Sequence, residues 1–99
     1  MNMRAIKQLL DLSGRKAVIT GGAGHIGLAG GLALVELGAT VGVLDIDAEA
    51  CSARADYLTR LGPGKGVPLV CDLLDEKSTR RAMAEAEEKM GGLDILVHC

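Results

Sequence analysis

Aromatic side chains are almost missing from this chain. Tyr57 is the single aromatic among 99 residues, with no Trp and no Phe. Any core must therefore be filled by Leu, Val, Ile, Ala and Met. A basic excess is also missing. Eleven Lys and Arg stand against thirteen Asp and Glu, for a net charge of −2 with no visible basic face. That balance argues against nucleic acid as a partner. The three cysteines, Cys51, Cys71 and Cys99, are odd in number and form no CxxC. This excludes a simple disulfide or zinc framework, and no metal is expected. The cysteines read as small apolar residues in a reducing, cytoplasmic compartment. Long apolar runs are lacking as well. The most hydrophobic stretch, residues 26–46, is interrupted by five glycines, Glu36 and Asp45, so it parses as a buried helix plus a buried strand. No membrane partner is expected. Residues 1–10 carry Arg4 and Lys7 without a following apolar core, so no signal peptide is expected.

Ninety-nine residues allow one domain. The division expected is a lead-in segment over residues 1–12 and a domain over residues 13–99. A chain of this size buries roughly 60–70% of its unfolded surface. That is adequate for a compact unit but thin for a sheet needing helices on both faces.

Lys16 to Asp47 carries the strongest signal. A short apolar run, Ala17 to Ile19, leads into Thr20-Gly21-Gly22-Ala23-Gly24-His25-Ile26-Gly27. A helical segment follows, then a second β-branched run ending at Asp45. Gly22, Gly24 and Gly27 fit a GxGxxG spacing, and Asp45 lies 18 residues after Gly27. This is the layout of a dinucleotide-binding βαβ unit. Its glycines let backbone approach a pyrophosphate, its helix N-terminus faces that charge, and its acid binds a ribose. A Walker phosphate loop is excluded, because no Gly-Lys-Ser/Thr follows.

The remaining elements alternate. Residues 1–12 suggest a short amphipathic helix on Ile6, Leu9 and Leu10, broken by Ser13-Gly14. Strands are expected at 17–20, 40–45, 67–71 and 93–99, and helices at 25–37, 48–61 and 76–90. The first helix shows an apolar set at Ile26, Ala29, Leu32, Ala33 and Leu37, and Gly38 supplies a left-handed stop. Gly30 and Gly31 each weaken that helix by roughly 1 kcal/mol relative to Ala, unless close packing on the sheet compensates. Residues 61–66 read as a loop. In the third helix Ala82, Met83, Ala86 and Met90 face inward. The order β-α-β-α-β-α-β, with near-continuous apolar strands, predicts an α/β fold: a doubly wound, Rossmann-type parallel sheet, here partial.

Four features together resemble the short-chain dehydrogenase/reductase family: Thr20-Gly21 leading the turn, Asp45 ending strand two, Cys71-Asp72-Leu73 after strand three, and Leu93-Asp94-Ile95-Leu96-Val97 as strand four. The resemblance covers about residues 11–99. Two departures stand out. The commonest family turn, TGxxxGxG, would place its middle glycine at position 25, where this chain has His25. The turn fits TGxxGxxG through Gly21, Gly24 and Gly27, as in extended members such as sugar-nucleotide epimerases. Strand four of the family continues into Asn-Ala-Gly, whereas here it reads His98-Cys99. The family's catalytic Ser and Tyr-x-x-x-Lys do not occur, since Tyr57 is followed by Leu61 at the lysine position and reads as a packing residue.

The resemblance implies a cofactor site at Gly21, Gly22, Gly24, His25, Ile26, Gly27, Asp45, Ile46, Asp72 and Leu73, with Asp72 near the adenine. Asp45 would accept from both ribose hydroxyls and repel a 2′-phosphate. No Lys or Arg lies between Gly27 and Arg54, and Asp47 and Glu49 add negative charge. NAD is therefore expected over NADP. No catalytic residue is assigned, His25 and His98 included. The expected function is the NAD-binding portion of an oxidoreductase acting on an alcohol or carbonyl group, inactive as these 99 residues alone. A stand-alone nucleotide-binding or regulatory module, or part of an epimerase-type member, is the alternative. By analogy the strand order is 3-2-1-4. The first two helices then share one face, and Ile95-Leu96-Val97 becomes an exposed edge prone to self-association.

Overall fold

The structure, a computed structural model, describes residues 8–99. The lead-in helix expected over residues 1–12 lies mostly outside the described residues; residues 8–10 are helical. Seven elements follow: β1 (Lys16–Thr20), α1 (His25–Glu36), β2 (Thr40–Asp45), α2 (Ala48–Leu61), β3 (Lys65–Val70), α3 (Glu76–Met90) and β4 (Ile95–His98). All strand pairings are parallel, and the order is β3-β2-β1-β4. This is the doubly wound α/β arrangement. The chain winds outward from β1 to β3, then crosses back to place β4 on the other side of β1.

Strand alternation splits the core in two. Ile19, Val41 and Val43 point to one face, where they pack with Val35 of α1 and with Cys51, Ala55 and Leu58 of α2. Val18, Leu44 and Leu69 point to the other, against Ala82, Ala86 and Met90 of α3. Burying a Leu or Ile side chain fully contributes about 1.5–3 kcal/mol. Ile19, Leu44, Leu58 and Leu69 are each at most 1% exposed and thus supply a large part of the driving force. Helix ends follow local chemistry. The Asp47 carboxylate accepts from the Glu49 and Ala50 amides at 3.0 and 3.1 Å, and the Asp75 carboxylate accepts from the Lys77 amide. Such caps contribute about 1 kcal/mol each. Gly38, at φ +101°, ends α1. Its amide donates to Val35 O, and the Ala39 amide donates to Leu34 O, which is the paired bond pattern of a left-handed helix stop.

Four expectations need correction. The face of α1 differs from the apolar set at Ile26, Ala29, Leu32, Ala33 and Leu37. The helix buries Gly27, Gly31 and Val35, while Ile26 is 78% exposed and Ala29, Ala33 and Leu37 are also exposed. The helix seats itself by its smallest residues. A Cβ on Gly31 would lie 3.1 Å from Leu58 Cδ1, so α1 and α2 approach closely there, whereas at Gly30 the nearest atom is an ordinary 3.7 Å away. Strand β3 begins at Lys65, inside the stretch expected to be loop. Lys65 and Gly66 pair with Thr40 and Val41, and a Cβ on Gly66 would meet Ala55 O at 2.5 Å. That glycine serves helix-on-strand packing. Tyr57 is 39% exposed on α2 and is no core residue. Strand β4 is also shorter than expected, spanning Ile95–His98.

Candidate functional site

Parallel strands all end on the same side of the sheet, and helix N-termini follow them there. In open α/β sheets the ligand crevice lies outside the carboxyl ends of the strands, where the winding direction reverses. In this chain that reversal lies between β1 and β4. Thr20, the last residue of β1, ties the two strands together. Its hydroxyl lies 2.8 Å from His98 Nδ1 and accepts from the Cys99 amide at 3.2 Å. The His98 contact was not foreseen from sequence. Thr20 is only 6% exposed, and the arrangement reads as a strand-to-strand tie.

The glycine turn begins at the reversal. The Gly22 amide donates to Leu44 O at 3.1 Å, tying the turn to the end of β2, and Gly24 caps α1 with backbone alone. No acidic side chain occupies the first turn of α1. Its leading amides and the positive end of the helix dipole thus face outward without a competing carboxylate. Gly27 is the steric key. A Cβ there would lie 2.5 Å from Gly21 O and 2.7 Å from Gly22 Cα, both backbone. Only glycine lets the first turn of α1 rest on the loop that precedes it. His25 and Ile26 stand exposed at the start of the helix.

Asp45 closes the other side. From the end of β2, its Oδ1 accepts from the Ile46 amide at 2.8 Å and its Oδ2 accepts from the Ala23 amide at 3.2 Å. A carboxylate offers about four lone-pair positions, so two remain for hydroxyl donors. Ile46, 65% exposed, lies beside it. The structure thus groups Gly21, Gly22, Gly24, His25, Ile26, Gly27, Asp45 and Ile46 around one turn. Asp72 and Leu73 occupy the loop after β3. Asp72 Oδ1 accepts from the Leu74 amide at 3.0 Å, and its own amide donates to Ser78 Oγ, so part of its role is holding that loop. A depression of about 520 Å³ reaches from Ile46 and Asp72 along the outer edge of β3 to Glu85 and Lys89. It adjoins the site at one end and does not include the glycine turn.

The described residues contain no cluster of three or more His, Cys, Asp or Glu able to hold a metal. All three cysteines are free. Cys51 sits beneath the site with Sγ 3.6 Å from Asp45 O; burial, and next the charge of Asp45, push its thiol up from the ordinary value. It is a protonated core group and no nucleophile. No helix among the described residues is long and apolar enough to cross a membrane.

The sequence profile of the short chain dehydrogenases matches residues 15–99. The chain belongs to the short-chain dehydrogenase family. Sorbitol dehydrogenase of Cereibacter sphaeroides is 39% identical over 89 residues, covering 90% of this chain and 33% of that protein. A dehydrogenase/reductase structure from Sinorhizobium meliloti 1021 superimposes with a TM-score of 0.90 at 32% identity, over 98% of this chain and 38% of that one. A 7α-hydroxysteroid dehydrogenase complexed with NADH and 7-oxo glycochenodeoxycholic acid has a TM-score of 0.81 at 33% identity, over 88% of this chain and 34% of that one. The chain spans about a third of the length of these short-chain dehydrogenase relatives.

One residue escaped the sequence reading of this member of the short-chain dehydrogenase family. Arg54, on α2, donates from Nε to Ala23 O at 3.2 Å. Counting cations between Gly27 and Arg54 stopped one residue short, because α2 folds back over the turn. No motif marks Arg54; only its helical phase relative to Cys51, Ala55 and Leu58, which face the core, places it at the rim.

Proposed function

We propose that this chain is the NAD-binding portion of an oxidoreductase acting on an alcohol or carbonyl group. Gly21, Gly22, Gly24, His25, Ile26 and Gly27 would receive the pyrophosphate. Asp45 and Ile46 would hold the adenosine ribose, and Asp72 and Leu73 would flank the adenine. The observation that carries this reading is the Asp45 carboxylate at the end of β2, bridged to the Ala23 amide at 3.2 Å. It sets an acceptor for ribose hydroxyls at the edge of a turn that leads into the N-terminus of α1, where no side chain caps the first amides. When bound, a nicotinamide dinucleotide supplies hydride transfer at an alcohol or carbonyl carbon. The chain's own part is to bind and orient. No residue of these 99 is assigned proton transfer.

A carboxylate at the ribose favours NAD over NADP, because a 2′-phosphate would meet like charge. The neighbouring short-chain dehydrogenase bound to NADH supports the cofactor class. Charge-assisted hydrogen bonds contribute about 1.5–3 kcal/mol each. Asp45→Ala should therefore weaken NAD by about 10- to 100-fold. Calorimetric titration of wild type and variant with NAD tests this, and equal affinities would refute it. We further propose that the chain self-associates through the β4 edge, supported by Leu96, 61% exposed on a sheet face where α3 packs chiefly over β2 and β3.

A further inference from the structure

Ala23 is held at both ends of its own backbone. Its amide donates to Asp45 Oδ2 at 3.2 Å, and its carbonyl accepts from Arg54 Nε at 3.2 Å. An acid and a base are thus anchored on one residue of the turn, separated by no more than two hydrogen bonds and a single residue's backbone. They do not neutralise each other directly, since no ion pair joins them among the described residues. Arg54 commits only Nε to the protein; its two terminal amino groups have no hydrogen-bond partner among the described residues. They are not buried either, because no buried side-chain nitrogen lacks a partner. The acids that oppose a 2′-phosphate are also fewer in effect than their number in the sequence. Asp47 is committed to the N-terminus of α2, where the helix dipole offsets its charge.

We propose that Arg54 is a specificity-determining residue at the adenosine end of this site. Its guanidinium fixes the Ala23 carbonyl through Nε and presents its terminal N–H groups to a phosphate on the ribose 2′ position. The inference rests on the dinucleotide reading above and revises one part of it. Asp45 still favours NAD, but Arg54 narrows the margin, so NADP binds measurably. A guanidinium suits this task because its planar fork donates to a carbonyl with one edge while its other N–H groups stay directed at an anion. Ala23 is bonded to Asp45, the acceptor for the ribose, and this shared residue puts Arg54 at the adenosine end of the turn.

The test is titration of wild type, Arg54→Gln and Arg54→Lys with NAD and with NADP. Gln keeps a donor for the Ala23 carbonyl and removes the charge. Arg54→Gln should weaken NADP about tenfold or more, the size of one charge-assisted contact, and leave NAD within about threefold. Arg54→Lys should fall between. Added salt should weaken NADP for the wild type more than for Arg54→Gln, because the lost interaction is between exposed charges. A residue that merely braced the turn would lower both affinities by one common factor, and that result overturns the proposal. Thermal melts of each variant establish that the fold is kept. If the wild type binds neither dinucleotide, the reading of the site falls and this proposal with it. If NAD binds and the NADP-to-NAD ratio is the same in wild type and Arg54→Gln, the role of Arg54 alone is refuted.

Discussion

Replacing Gly27 with Ala adds one methyl group where no methyl group fits. Its carbon would stand 2.5 Å from Gly21 O and 2.7 Å from Gly22 Cα, and both are backbone atoms that cannot rotate away. Either α1 lifts from the turn or the turn is pushed off the end of β2, stretching the bond from the Gly22 amide to Leu44 O. Overpacking of this kind costs about 1–3 kcal/mol. Ala gains back about 1 kcal/mol as the better helix former. Two backbone contacts under 3.0 Å put this clash in the upper half of the overpacking range, so the net expectation is a loss of about 1–2 kcal/mol, with each kcal/mol moving Tm by roughly 4–8 °C in a domain this small. Gly30→Ala is the internal control. It lies in the same helix, and the nearest atom to its new methyl would be Ile19 Cδ1 at 3.7 Å, an ordinary contact. Propensity then dominates, and Gly30→Ala should gain up to about 1 kcal/mol. Urea denaturation of both variants beside wild type reads the two signs. The reasoning fails if Gly27→Ala is as stable as wild type, or if Gly30→Ala is the more damaging of the pair.

Cys51 predicts an alkaline limb. Burial raises its folded pKa above the ordinary 9.0, so its contribution is full below that value and is lost as pH climbs through the higher folded pKa. Denaturation midpoints taken across this range should fall less steeply for Cys51→Ala than for wild type, and parallel curves would contradict the assignment. At the sheet edge, Leu96→Lys should reduce concentration-dependent association in sedimentation experiments, since charge on an open edge opposes strand addition. A wild type that sediments as a monomer at every concentration would remove the basis for that proposal.

Much of the fold was legible because alternation and punctuation are physical constraints. The Ala48–Leu61 and Glu76–Met90 helices start at aspartates that cap them, and the Thr40–Asp45 strand is a β-branched run between a glycine stop and an acid. The strand order 3-2-1-4 came by analogy with the family, and the sheet has it. The buried face of α1 was not legible. Apolar residues surround that helix, so periodicity offers no single stripe, and the face chosen is the one whose smallest residues, Gly27 and Gly31, allow close approach. Lys65 and Gly66 were hidden in a glycine-rich stretch for a related reason, because Gly66 is required by the backbone of Ala55 and not by a turn. Within the candidate site the turn and Asp45 could be read from spacing. Arg54 could not, since its contact with Ala23 spans 31 positions and depends on how α2 folds back over the turn.

The central claim is that a dinucleotide lies along the glycine turn and reaches Asp45. Backbone amide shifts followed by NMR as NAD is added test it most directly. The account predicts that the amides of Gly22, Gly24, His25, Ile26, Asp45 and Ile46 move together along one binding curve, with smaller changes at Asp72 and Leu73. Shifts confined to the β3-edge depression around Val70, Arg81 and Lys89, with the glycine turn unmoved, would contradict it.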